Sequence, residues 1–239
     1  MADADALGGI AGFFSKGGLF VWPLLACSIV AVTTIILRTI ALRERNVLPL
    51  VIESEIERLA PGASADRLAR IAELDNSSLA RIVRVALHHL RWPRSENVEF
   101  VQTRARYEMV RLEKGLIILE VITGIAPLLG LIGTVSGLVH VFARLGLSTG
   151  AADAKGIALG ISEALNTTIF GLSIAVPSLI AFSYFSKKVE VMSVEMETLV
   201  TDLITKCYYG RIAREEPTRR LSVPVPTNAQ AAAARAPMA

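Results

Sequence analysis

The sequence predicts an all-α integral membrane protein with three transmembrane helices that extend into the cytoplasm. The 239 residues are 52% hydrophobic, with a mean hydropathy of +0.50, yet 20% are charged. That combination requires the charges to be segregated from the apolar residues. All but two of the 25 Lys and Arg and 22 Asp and Glu lie outside three apolar segments, residues 18–37, 116–142 and 156–185, whose only charges are Glu120 and Glu163. Each segment reaches the roughly 20 helical residues that a hydrocarbon core of about 30 Å demands. This pattern excludes a soluble enzyme, a coiled coil and a disordered tail protein.

Residues 1–17 form a short periplasmic N-terminus. They open MADADALGG, acidic where a signal peptide is basic, and no small-residue cleavage site follows the apolar run, so residues 18–37 are expected to stay in the membrane as the first span. Sidedness follows from the cations. Residues 38–114 hold 14 of the 25 Lys and Arg, and the stretch from Lys187 onward holds 8, whereas Lys16 stands alone before the first span and Arg144 and Lys155 alone between the second and third. The positive-inside rule places the loop 38–115 and the C-terminus in the cytoplasm and the link 143–155 in the periplasm. Three spans put the two ends on opposite sides, as the counts require. The net charge of +3 and pI of about 9.0 then reflect that bias and not a nucleic-acid partner.

The cytoplasmic loop reads as helix. Arg38 to Leu59 continues the first span until Pro61-Gly62; Asp66 to Leu90 is periodic until Trp92-Pro93; Glu96 to Lys114 runs into the second span, 116–142, with no breaker. The third span, 156–185, continues as a cytoplasmic helix over 186–216, because Val189, Met192, Met196, Leu199 and Leu203 recur at steps of three and four. Residues 217–239 are Pro- and Ala-rich without apolar period and read as a disordered tail. Cys27 and Cys207, and His88, His89 and His140, have no spacing that makes a disulfide framework or a metal site. No cofactor is expected.

The last two spans carry more than a lipid-facing helix needs. The second contains Gly124, Gly130, Gly133 and Gly137 around Pro127; small residues three or four apart let helices approach closely, and neighbouring groups compensate the hydrogen bond that a membrane proline removes. In the third, Gly156, Gly160, Ala164 and Thr168 form a small-residue stripe. Packing alone would account for these. It does not account for Glu163, Asn166, Thr167 and Thr168 clustered within six positions, since a carboxylate within a span costs roughly 2.5 kcal/mol or more and normally faces a cavity or a partner. If the third span begins at Ala164, Glu163 is an outer-interface residue; Glu120 can likewise sit at the inner interface.

At 1.5 Å per residue, Thr134 lies roughly 12 Å below an outer boundary near Phe142, Thr168 roughly 18 Å and Glu163 roughly 10 Å below one near Gly156. The three share a belt near mid-membrane. By helical spacing Thr167 is the companion of Glu163, whereas Thr168 is rotated from it by about 140°.

At these residues the sequence resembles the MotA/TolQ/ExbB proton channel family, in particular its three-span ExbB and TolQ branch. The matching stretches are APLLGLIGTVSGL followed by VFARLG, and GISEALNTTIFGLSIAVPSL. The resemblance runs from the first span to about Arg211 and is most specific in the last two spans. It assigns the family's second-span threonine to Thr134, its third-span glutamate to Glu163 and its third-span threonine to Thr168, with Thr167 and Asn166 as further pore candidates. Gly130, Gly133, Gly137, Gly160 and Ala164 are the expected packing positions. Asn166, Phe170 and Ser136 depart from the family pattern, and Ser136 favours ExbB over TolQ, which commonly has Trp there.

The resemblance implies an inner-membrane motor subunit: a homopentamer around the single spans of an ExbD-type partner dimer whose aspartate carries the proton, passing motion to a TonB-like protein. Membrane lipid is the remaining partner. Consistently, no Asp lies in any span of this chain, so a proton carrier is Glu163, Glu120 or a residue of another chain. A MotA-like stator fits less well because that branch has four spans. A passive scaffold leaves Glu163 unexplained, and an enzyme lacks a nucleophile, base and orienting group that the sequence could bring together.

Overall fold

The computed structural model describes residues 20–147 and 154–220, with side chains at 20–143 and 156–209. The expected N-terminus at 1–17, residues 148–153 of the link, and the tail from 221 lie outside the described residues. Among those described there are eight helices and no strands: α1 (Val21–Ala41), α2 (Glu44–Val47), α3 (Leu50–Arg58), α4 (Asp66–Leu74), α5 (Ser78–His88), α6 (Arg94–Glu113), α7 (Leu116–Leu147) and α8 (Ala154–Arg220). α1, α7 and α8 are long and apolar enough to cross a membrane.

The chain divides into two units, one of residues 1–47 and 106–194, the other of 48–105 and 195–239. In the first, α1 packs on α7 through a single face, Val21, Leu24, Ala31 and Thr34, all buried. Trp22, Ile29, Ile36 and Ile40 on its other faces are exposed, as are Leu128, Leu131 and Val135 on α7 and Ile169, Leu172 and Val176 on α8. Large outward apolar side chains are costly in water and suit a surface solvated by lipid or by other spans. A cavity of about 500 Å³ opens between Ile35 and Thr39 of α1, Leu42 just past its end, and Pro177, Tyr184 and Lys188 of α8.

In the second unit, α4 packs on α3 and α5 around Ile52, Ile56, Leu68, Leu79, Ile82 and Val83, each less than 2% exposed. Two side chains of α8 staple this unit. Lys206 Nζ donates to the carbonyls of Ile56 and Glu57 at 3.0 and 3.1 Å, at the end of α3 where carbonyls lack helical donors and a cation is favoured. The buried Asn97 amide donates to Ala86 O and to Tyr208 Oη, and the Tyr208 hydroxyl reaches the Trp92 carbonyl at 2.9 Å.

The loop is helical, as its periodicity implies, but more finely cut than expected. Helix does not run from Arg38 to Leu59: α1 stops at Ala41, and Pro49 sits just before α3 with extended backbone (φ −70°, ψ 124°). Asp66 to Leu90 is two helices because Asp75 and Ser77 turn the chain. Asp75 Oδ1 accepts from the Ser77 amide at 2.7 Å, and Ser77 Oγ caps α5 by accepting from the Ala80 amide at 3.2 Å. Glu96 to Lys114 does not run unbroken into the second span either. Gly115, with φ +130°, separates α6 from α7, a backbone conformation open to glycine and strained for other residues. α8 is continuous through Arg220, so residues 217–220, expected to begin the tail, are helical. On its inward face Val189, Met192, Met196 and Leu203 are buried as the period predicts, with Val200 buried in place of the half-buried Leu199.

Candidate functional site

The site is built where α7 and α8 cross closest. Both helices replace side chains with hydrogen along one stripe, so backbone meets backbone. A β-carbon on Gly130 would stand 3.0 Å from Thr167 O and Thr168 Cα, one on Gly137 2.7 Å from Ala164 Cβ, and one on Gly171 2.5 Å from Ala126 O; one on Gly160 would collide with Val141. The pairs 126 with 171, 133 with 167, 137 with 164 and 141 with 160 describe an antiparallel hairpin. All five expected packing residues, Gly130, Gly133, Gly137, Gly160 and Ala164, lie in this contact. The surface that these glycines meet is therefore the chain's own neighbouring span.

Into this close-packed seam project the hydroxyls of Thr134 and Thr168. Thr134 is 9% exposed, and its Oγ1 is hydrogen-bonded to Thr168 Oγ1. Thr134 Oγ1 also lies 3.1 Å from Gly130 O and 3.3 Å from Ala164 O, and Thr168 Oγ1 lies 3.0 Å from the same Gly130 carbonyl. Two protons are available for these contacts: one joins the hydroxyls, and the other is donated to a backbone carbonyl. What remains free is lone pairs. The pair thus accepts readily from a protonated carboxylic acid, whereas donating to a carboxylate requires one hydroxyl to turn from its backbone acceptor, a change of about 1 kcal/mol.

Of the predicted pore residues, the structure brings together Thr134 and Thr168. Thr167 is 3% exposed, with its methyl in the notch of Gly133, where an added β-carbon would be 3.0 Å from Thr167 Cβ and closer still to Cγ2. Helical spacing makes Thr167 the neighbour of Glu163, but steric complementarity puts its side chain into α7. Glu163 is exposed and Asn166 half-buried, and Glu120 is exposed; none is hydrogen-bonded to the threonine pair. Among the described residues no group of His, Cys, Asp and Glu is arranged to hold a metal. Burial pushes the Cys207 thiol up to about 11, so it is overwhelmingly protonated near neutrality and a poor nucleophile.

Residues 74–198, more than half of the chain, match the MotA/TolQ/ExbB proton channel family. The chain belongs to this family. It is 34% identical over 177 residues to the putative biopolymer transport protein ExbB-like 1 of Synechocystis sp., covering 71% of this chain and 67% of the relative. It is 31% identical over 179 residues to a putative ExbB homolog of Methanothermobacter thermautotrophicus, covering 74% of this chain and 63% of that one. Over 90 residues it is 43% identical to biopolymer transport protein ExbB of Helicobacter pylori, covering 38% and 61%. The chain thus spans about two-thirds or less of the length of these three relatives. The matched family segment takes in α7 and the part of α8 carrying Thr168, so the threonine pair lies within it. An inner-membrane protein of ExbB-like proton channel type accounts for the three apolar helices and for the relatives alike.

Proposed function

We propose that the chain is the multi-copy subunit of an inner-membrane energy transducer of the ExbB kind, coupling the proton motive force to TonB-dependent outer-membrane transport. The observation that carries this reading is the Thr134–Thr168 hydroxyl pair, held in the close-packed seam between two spans. Such a pair offers acceptors to a carboxylic acid and, at small cost, a donor to a carboxylate, which suits an occupant that alternates between the two. The carboxyl group comes from a single-span ExbD-like partner dimer enclosed by five copies of this chain. Residues 38–115 and the C-terminal helix are cytoplasmic and the N-terminus periplasmic. The three relatives named above are ExbB or ExbB-like by name, which supports this reading over a TolQ-like one.

Coexpressed with a single-span partner that bears a membrane aspartate, the chain should copurify with it, and liposomes holding the complex should pass protons under an imposed pH gradient. The chain alone should not. Equal proton flux without the partner would sink the assignment and move the carrier to Glu163 or Glu120. Sidedness has its own test in intact cells, in a background with Cys27 and Cys207 changed to serine. Ala4→Cys and Ser148→Cys should react with an impermeant thiol reagent, and Ser64→Cys and Thr227→Cys should not. Labelling of Ser64→Cys would reverse the topology.

A further inference from the structure

The break between α6 and α7 is filled by a side chain from 77 positions earlier in the sequence. A β-carbon at Gly115 would stand 2.6 Å from Arg38 Nε and 2.8 Å from Cζ, so the guanidinium occupies the notch that the glycine leaves. From there Nη1 donates to the Leu112 carbonyl at 3.2 Å and Nη2 to the Lys114 carbonyl. The Leu112 carbonyl is among the last four of α6, which lack a donor within their own helix, and that end of a helix favours a cation. A planar guanidinium addresses two carbonyls at once, whereas an ammonium on a lysine stem is a point charge without the same fork.

We propose that Arg38 is a positioning residue for the threonine pair. Seated at Gly115, it latches the last turn of α1 to the start of α7, the helix that carries Thr134 without interruption from Leu116. α1 already packs along α7, so the latch fixes the axial and rotational setting of that helix at its one described break. The link to transport rests on the proton-path reading; the latch does not. A simpler role would be a positive charge marking the inner boundary, which lysine would serve equally well.

Amide hydrogen exchange on the full-length protein in lipid nanodiscs separates these roles. Arg38→Gln should speed exchange at 111–114 about tenfold, the worth of losing hydrogen bonds to a charged group, with 200–204 unchanged as an internal control. Arg38→Lys, which keeps the charge, should recover little of that protection. Gly115→Ala should expel the guanidinium, so Arg38→Gln added to it should speed exchange no further. Full protection in Arg38→Lys, or strictly additive effects in the double variant, would overturn the latch. Energy-dependent uptake should fall in Arg38→Gln and stay low in Arg38→Lys; normal uptake alongside tenfold faster exchange would overturn the positioning role. Full uptake in the threonine variants would instead sink the proton-path reading and leave the exchange result standing.

Discussion

Thr134→Val and Thr168→Val should each assemble normally and lose energy-dependent uptake by about 10-fold to 100-fold, the factor that corresponds to one hydrogen bond to a charged group of roughly 1.5–3 kcal/mol. Valine keeps the branched shape at the α7–α8 seam, so the close backbone approach survives. The stability cost is small because the Gly130 carbonyl remains the acceptor of its own helix at residue 134. What disappears is the hydroxyl partner of the other threonine, and with it the paired hydroxyls proposed to serve both protonation states of a carboxyl group. Glu163→Ala should also abolish uptake while leaving the threonine pair in place, since Glu163 is exposed and not hydrogen-bonded to it, whereas Glu120→Gln should matter least. Uptake in liposome-verified complexes, together with oligomer size on a sizing column, checks all four. Full activity in both threonine variants would remove the pair from the proton path.

Gly133→Leu should prevent a stable fold of the spans, and even Gly133→Ala should destabilise by about 1–3 kcal/mol, the usual cost of overpacking. The new β-carbon would collide with Thr167 Cγ2 and approach its Cβ at 3.0 Å. In a membrane the cost is not offset by burying more apolar surface, because lipid solvates a leucine as well as a helix does. Thr167→Ala removes the methyl that fills the notch, so the pair Gly133→Ala with Thr167→Ala should regain much of the stability that Gly133→Ala alone loses. Thr167→Val, which retains the methyl, should be close to the parent in both stability and uptake. Reversible unfolding in mixed detergent, followed by circular dichroism, measures each step. Additive losses in the double variant would show that the Thr167 methyl is not the obstacle.

The three spans were legible because hydrocarbon imposes a length and an absence of charge, both of which are properties of consecutive residues. The interior of the loop was only partly so. Pro61-Gly62 and Trp92-Pro93 announce breaks, but Pro49 and Gly115 also end helices, and a lone glycine in a polar helical run carries no local sign that its φ will be +130°. Arg38, Asn97, Lys206 and Tyr208 gave no signal either, since each acts on carbonyls or side chains far along the chain. A run of apolar residues that gains one cation at its end reads as a boundary, whatever that cation binds.

The sequence by itself determined the fold class, the three membrane helices and the pool of polar residues within them, because each depends on composition and period along one segment. The family resemblance pointed to Thr134 and Thr168, but only the tertiary structure supplies the physical reason that these hydroxyls meet. Thr167 and Thr168 are adjacent, and period alone pairs Thr167 with Glu163. The choice is made by α7, where Gly133 offers a notch of one methyl's size to Thr167 and the Gly130 carbonyl offers an acceptor to Thr168. Glycine spacing on one helix selects the rotation of the other, a constraint that exists only once the two helices touch.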